Sequence, residues 1–132
     1  MPEILKLPPH ARETILDHCL ASAPEEACGL IAVHEGEVVA VYPTPNDSPS
    51  PEDSFVVPPP DHYRALTHAE SRGWSLAGSY HSHPRGGAAP SDTDIAKALD
   101  PGWFYLVVGL GAAPRITGWR IRAGVATEVE LG

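Results

Sequence analysis

His81-Ser82-His83-Pro84, followed by Pro90-Ser91-Asp92-Thr93-Asp94, sets two imidazoles, a hydroxyl and a carboxylate close together in the chain. Two neutral histidines and one carboxylate suit Zn²⁺. Three protein ligands leave the fourth tetrahedral position open to water, which separates a catalytic zinc from a structural one. His81 and His83 stand at i and i+2, so on a strand both rings face the same side. Pro84 lacks the N–H that would continue strand pairing. Ser91-x-x-Asp94 ahead of Ile95 is also a helix-capping pattern, with Ser91 accepting from a backbone amide and Asp94 reaching back. A carboxylate in a helix's first turn stays free to bind a cation, so cap and ligand are compatible. Between the two pieces, Arg85-Gly86-Gly87-Ala88-Ala89 reads as a flexible loop that lets Asp94 fold back toward the histidines.

A hydrolytic zinc site also needs a group that takes a proton from its water. Pro24-Glu25-Glu26-Ala27-Cys28-Gly29 supplies candidates at the entrance to an apolar strand. Spacing alone does not choose between Glu25 and Glu26. Ser82 lies between the histidines, but no triad partner for a nucleophile is evident.

The elements that must position these groups follow from the pattern. Ile4-Leu5-Lys6-Leu7 predicts a short strand, closed by Pro8-Pro9. His10 to Ala23 predicts a helix whose buried stripe is Ile15, Leu16, Cys19 and Leu20. Cys28 to Val33 and Glu37 to Tyr42, joined by Glu35-Gly36, predict a hairpin. Pro43 to Asp53 is rich in Pro, Asn, Asp and Ser and reads as a loop, with Asn46 in a structural role. Ser54 to Val57 predicts a short strand. Pro58-Pro59-Pro60 leads into a helix over Asp61 to Arg72, with proline and Asp61 suited to its first turn. Trp74 to His83 predicts the strand that carries the histidines. Ser91 opens a helix ending near Asp100-Pro101-Gly102. Trp103 to Leu110, Arg115 to Ile121 and Val125 to Leu131 predict an antiparallel meander. Trp74, Trp103 and Trp119 are expected in the core or at its edges, and His10, His18, His34, His62 and His68 at the surface.

The 132 residues are expected to form one domain, 1–132. The net charge of −8 and nine scattered basic residues argue against nucleic acid as a partner, since phosphate binding needs clustered Lys and Arg. No stretch approaches the roughly 20 apolar residues of a membrane span, so no membrane partner is expected. Residues 1–20 lack the pattern of a secretory signal. Two cysteines, Cys19 and Cys28, are then expected as free thiols in a reducing, cytoplasmic setting.

Glu26-Ala27-Cys28-Gly29, then His81-Ser82-His83-Pro84, then Ser91-x-x-Asp94, with Ala77-Gly78-Ser79-Tyr80 ahead of the first histidine, resembles the JAMM motif of the MPN+ (Mov34/MPN/PAD-1) zinc metallopeptidases. The resemblance implies His81, His83 and Asp94 as ligands of one Zn²⁺ per chain, Glu26 as general base and Ser91 as a stabiliser of the oxyanion. It implies an α/β fold, a single MPN domain like the cytidine-deaminase architecture, with a curved mixed sheet and flanking helices. It implies a peptidase or isopeptidase of the small prokaryotic type. The expected substrate is the C-terminal Gly-Gly tail of a ubiquitin-like or sulfur-carrier protein of β-grasp fold. Two alternatives are a non-catalytic MPN scaffold, whose relatives usually lose the ligands kept here, and a RadC-like DNA-repair-associated protein. Acidic charge and the absence of a helical N-terminal module stand against the second. Zinc-dependent deamination would call for a Cys-x-x-Cys pair, which the chain lacks.

Overall fold

A computed structural model describes residues 2–132. Seven strands form one mixed sheet in the order β1-β7-β6-β5-β4-β2-β3. They are β1 (Ile4–Leu5), β2 (Cys28–His34), β3 (Glu37–Thr44), β4 (Ser75–His83), β5 (Phe104–Gly109), β6 (Arg115–Arg122) and β7 (Val125–Leu131). β4 runs parallel to β5, and β1 parallel to β7; the other pairs are antiparallel. Lys6, just past β1, bridges to Glu37 at the start of β3, so the two edges of the sheet approach each other and the sheet curls. The predicted hairpin is β2–β3 and the predicted meander is β5–β6–β7.

Three helices complete the fold: α1 (Pro9–Ser22), α2 (Pro59–Ser71) and α3 (Asp92–Lys97). The first two have proline in their first turn, where a missing N–H costs nothing. α1 buries Ala11, Ile15 and Cys19, an i, i+4 stripe, with Leu16 at its margin. Leu20, expected in that stripe, is 52% exposed, because the stripe runs through positions 11, 15 and 19 and the next residue turns outward. α1 stands over the sheet face that carries Tyr80, whose hydroxyl lies 2.7 Å from His18 Nδ1. His18 is therefore half-buried and bonded, not the plain surface residue expected. α2 packs on β4, β2 and β3 through Ala65 and Ala69. The three tryptophans sit half-buried at the edges of the core.

Leu5, Leu7, Ile15, Ile31, Val38, Tyr80, Leu106, Val108 and Val129 build the main core. Tyr80 pairs across the ladder with Gly29, and a Cβ at Gly29 would lie 2.4 Å from the tyrosine ring. The ring can lie flat on β2 only because position 29 has no side chain. Two expected elements differ. Ser54–Val57 is not a strand, for its main chain bonds to a side chain and a turn instead of a ladder. α3 ends at Lys97, short of Asp100, closed by Ala98 N donating to Ile95 O.

Candidate metal centre

Strand alternation on β4 sends Tyr80 and Ser82 toward α1 and His81 and His83 to the opposite face, at the end of the sheet. The Arg85–Ala89 segment does not swing free. Gly86 N donates to His83 O at 3.2 Å, Gly111 N donates to Gly86 O at 3.1 Å, and the Thr117 hydroxyl donates to Ala88 O. Gly109 makes this possible, since a Cβ there would stand 2.6 Å from the main chain of Gly87. The tethered loop delivers Ser91 to the N-cap of α3. Ser91 Oγ accepts from Asp94 N at 3.1 Å, and Asp94 Oδ2 accepts from Ser91 N at 2.9 Å, closing the predicted capping box.

The same Asp94 Oδ2 lies 3.0 Å from His81 Nε2 and 3.0 Å from His83 Nε2, and the two Nε2 atoms are 3.2 Å apart. Cap and convergence share one oxygen. Zn–N and Zn–O bonds of about 2.0–2.2 Å put tetrahedral ligand atoms roughly 3.3 Å apart, so this spacing suits one zinc ion. The proton inventory agrees. His83 Nδ1 lies 3.0 Å from Gly87 O, and a carbonyl only accepts, so Nδ1 carries the proton. In the neutral ring Nε2 then presents a lone pair to the Asp94 carboxylate, two acceptors face to face. A proton on Nε2 or a cation between them removes that conflict, and with a cation bound the Gly87 carbonyl would be the outer partner that a ligating histidine needs. Burial would raise the Asp94 carboxyl, but its bonds to His81 and His83 outweigh this and hold it far below the usual carboxylate range. The bond to Asp94 holds the His83 ring above the ordinary histidine value.

Glu25 points to solvent, whereas Glu26 is only 9% exposed and lines a chamber of about 370 Å³ with Ser54, Phe55, His83, Ser91 and Asp94. Of the two glutamates that spacing left open, one is thus buried beside the cluster and the other exposed. Burial pushes the Glu26 carboxyl up to about 7, against an opposing pull from His83. Main-chain bonds fix its position: Glu26 N donates to Pro51 O at 2.8 Å, and Ala27 N donates to Ser82 Oγ at 2.8 Å. Ser82, fully buried and spent on that bond, points away from the His81, His83 and Asp94 cluster.

Phe55 was hidden in the sequence. Its ring stacks on His81 at 4.4 Å between centroids and 19° between planes. A lone phenylalanine in a segment rich in Pro, Ser and Asp was its only signal, and it was read there as part of a strand. Phe55 also borders a second, mostly apolar chamber of about 410 Å³, between the sheet and α2, lined by Leu30, Val57, Trp103, Tyr105 and Val107 and reaching His81 and Asp94. The convergence point therefore lies between a polar and an apolar chamber. Cys19 and Cys28 are free and buried; burial raises both thiols, Cys19 to about 12, so neither is a reactive thiolate. Among the described residues no helix is long and apolar enough to cross a membrane.

Residues 8–122 match the family described as prokaryotic homologues of the JAB domain. The chain is 35% identical over 109 residues to a desampylase of Haloferax volcanii, covering 78% of each chain. It is 41% identical over 95 residues to a probable TtuB-protein conjugate cleaving protease of Thermus thermophilus, covering 72% of this chain and 64% of that one. A solution structure of a Desulfitobacterium hafniense protein superposes with a TM-score of 0.85 at 32% identity, covering 98% of this chain and 91% of that one. A JAB1/MPN domain protein from Archaeoglobus fulgidus superposes at 0.65 and 19% identity, with 98% of both chains covered, and has the same fold.

Proposed function

The chain belongs to the family of prokaryotic homologues of the JAB domain, and from that premise we propose that it is a zinc-dependent isopeptidase that cleaves conjugates of a ubiquitin-like or sulfur-carrier protein of β-grasp fold. The observation that carries this reading is the meeting of His81 Nε2, His83 Nε2 and Asp94 Oδ2 within 3.2 Å of one another, with Glu26 facing the same chamber. Two relatives are named as a desampylase and as a probable protease of protein conjugates, and this supports the class of reaction.

His81, His83 and Asp94 would hold the ion. Bound there, zinc supplies a Lewis acid and brings the pKa of a water to about 7. Glu26 serves as general base and acid. It takes a proton from the attacking water and passes it to the leaving amine of the amide. Its carboxyl, pushed up to about 7 by burial, suits a group that must both gain and lose a proton near neutrality. Ser91 Oγ accepts from Asp94 N, which leaves its own hydrogen free to point at the developing oxyanion. A contact of that kind is worth about 3 kcal/mol in the transition state. No side chain becomes acylated, consistent with Ser82 being buried and turned away. An extended Gly-Gly tail, lacking side chains, would lie between the two chambers with its scissile carbonyl at the convergence point.

A scaffold has no need of a complete donor set, so the intact His81, His83, Asp94 and Glu26 favour the enzyme. The test is to incubate the zinc-loaded chain with fusions of β-grasp carrier proteins and read the products by intact mass. Cleavage directly after the Gly-Gly tail is expected, and it disappears with a chelator. Uncut fusions in the presence of bound zinc would refute the reading.

A further inference from the structure

One side-chain amide joins the two walls of this site. Asn46 Nδ2 donates to Glu26 O at 3.0 Å, to Ser54 O at 2.9 Å and, at the longer distance of 3.4 Å, to Pro51 O. Asn46 Oδ1 accepts from Ser48 N at 3.0 Å and from Val56 N at 3.0 Å. Ser54 and Val56 flank Phe55, the residue stacked on the ligand His81. Pro51, bonded by the same amide, is the residue whose carbonyl accepts from Glu26 N. An amide donates and accepts on one rigid plane, so its five partners share a single reference frame. That plane ties the main chain of Glu26 to the main chain on both sides of Phe55.

We propose that Asn46 is a positioning residue. By bonding the Glu26 main chain and the Phe55 segment at once, it fixes where the Glu26 carboxylate stands relative to His81, His83 and Asp94. The proposal rests on Glu26 being the general base. The bonding goes beyond what an ordinary loop asparagine does. Oδ1 alone, bonded to the N–H two residues on and to Val56, closes the turn. Nδ2 bonds Ser54 O and Pro51 O across the turn and also reaches outside it, to the carbonyl of Glu26 at the strand entrance.

Asn46→Asp keeps the acceptor role and removes the donor role. A carboxylate keeps both acceptor roles toward Ser48 and Val56, and it puts an oxygen where Nδ2 faced three carbonyls. The Ser48 and Val56 bonds are retained while the bonds from Nδ2 to Glu26 O, Ser54 O and Pro51 O are lost. In crystals of Asn46→Asp we expect the Ser48 and Val56 bonds to persist and the Glu26 main chain to shift away from position 46. On a β-grasp fusion that the wild type cleaves, kcat is expected to fall about 100-fold, the usual result of misplacing a reacting group by an ångström. KM and zinc content per chain stay near wild type. Asn46→Ala, which has neither donor nor acceptor, is the second variant and is expected to lose the same factor in kcat with a lower melting temperature. A Glu26 that superposes on the wild type in both variants would overturn the proposal. So would a retained kcat, or a loss of activity that only tracks a loss of zinc or of folded protein. If the wild type cleaves no fusion, the isopeptidase reading fails, while the diffraction comparison still decides whether Asn46 places Glu26.

Discussion

Replacing Glu26 by glutamine should remove activity and, in metal-free protein, increase stability at alkaline pH. The sign follows from linkage. The Glu26 carboxyl is raised from 4.5 to about 7 in the folded chain, first by burial and then by Asp94 and Asp53, with His83 opposing. Between those two values the folded state binds more protons than the unfolded state, so stability falls as pH rises through the window. Two and a half pKa units correspond to about 3 kcal/mol at pH 8, and to a few tenths at pH 4.5. Because the carboxylate borders an open chamber, solvent reduces the figure, and about 1–3 kcal/mol is the expected range. Glutamine keeps the shape and carries no charge, so Glu26→Gln escapes this cost. The assay is urea unfolding of the wild type and the variant with chelator at pH 4.5 and pH 8. The variant should match the wild type at the lower pH and exceed it at the higher. With zinc restored, the proposed general-base role predicts a fall in kcat of about 10²–10⁴-fold. Equal stabilities at pH 8, or activity kept in the variant, would refute the assignment.

Ser91→Ala should retain zinc, lose about 1 kcal/mol of stability with the cap of α3, and lower kcat about 10²-fold or more with the oxyanion contact; mass-based rate assays and thermal melts separate the two effects. Gly29→Ala drives a methyl to within 2.4 Å of the Tyr80 ring, and a cost of about 1–3 kcal/mol in chemical unfolding is expected. Its rate per folded, zinc-loaded molecule should stay near wild type, because Tyr80 faces α1 and not the His81, His83 and Asp94 cluster. Phe55→Ala removes the ring stacked on His81, so competition with a chromophoric chelator should report weaker zinc binding, by the roughly 10–100-fold typical of outer partners of a metal site.

Much of the centre was legible in the chain because its information is local. The parity of β4 puts His81 and His83 on one face, whatever the rest of the fold does. Ser91 and Asp94 are read as a cap from four residues, and the structure uses the cap to aim the carboxylate at the histidines. Strand order is less local, yet short connections gave the β2–β3 hairpin and the β5–β7 meander. What failed to show depends on distant partners. Glu25 and Glu26 are neighbours of equal chemistry, and the main chain at Glu26 and Ala27 is held by partners from two distant segments, Asn46 and Pro51 of one loop and Ser82 of β4. Ser54–Val57 has a strand's composition, but the Asn46 side chain takes the hydrogen bonds that a neighbouring strand would have made. Arg85–Ala89 looks mobile by composition and is held by Gly111 and Thr117, residues far ahead in sequence.

An anomalous-difference map collected at the zinc edge, from a crystal of the wild-type chain, bears most directly on the whole account. It should show one peak per chain, within about 2.0–2.2 Å of His81 Nε2, His83 Nε2 and an Asp94 oxygen. A peak bonded to other residues, or one that Asp94 does not reach, would contradict it.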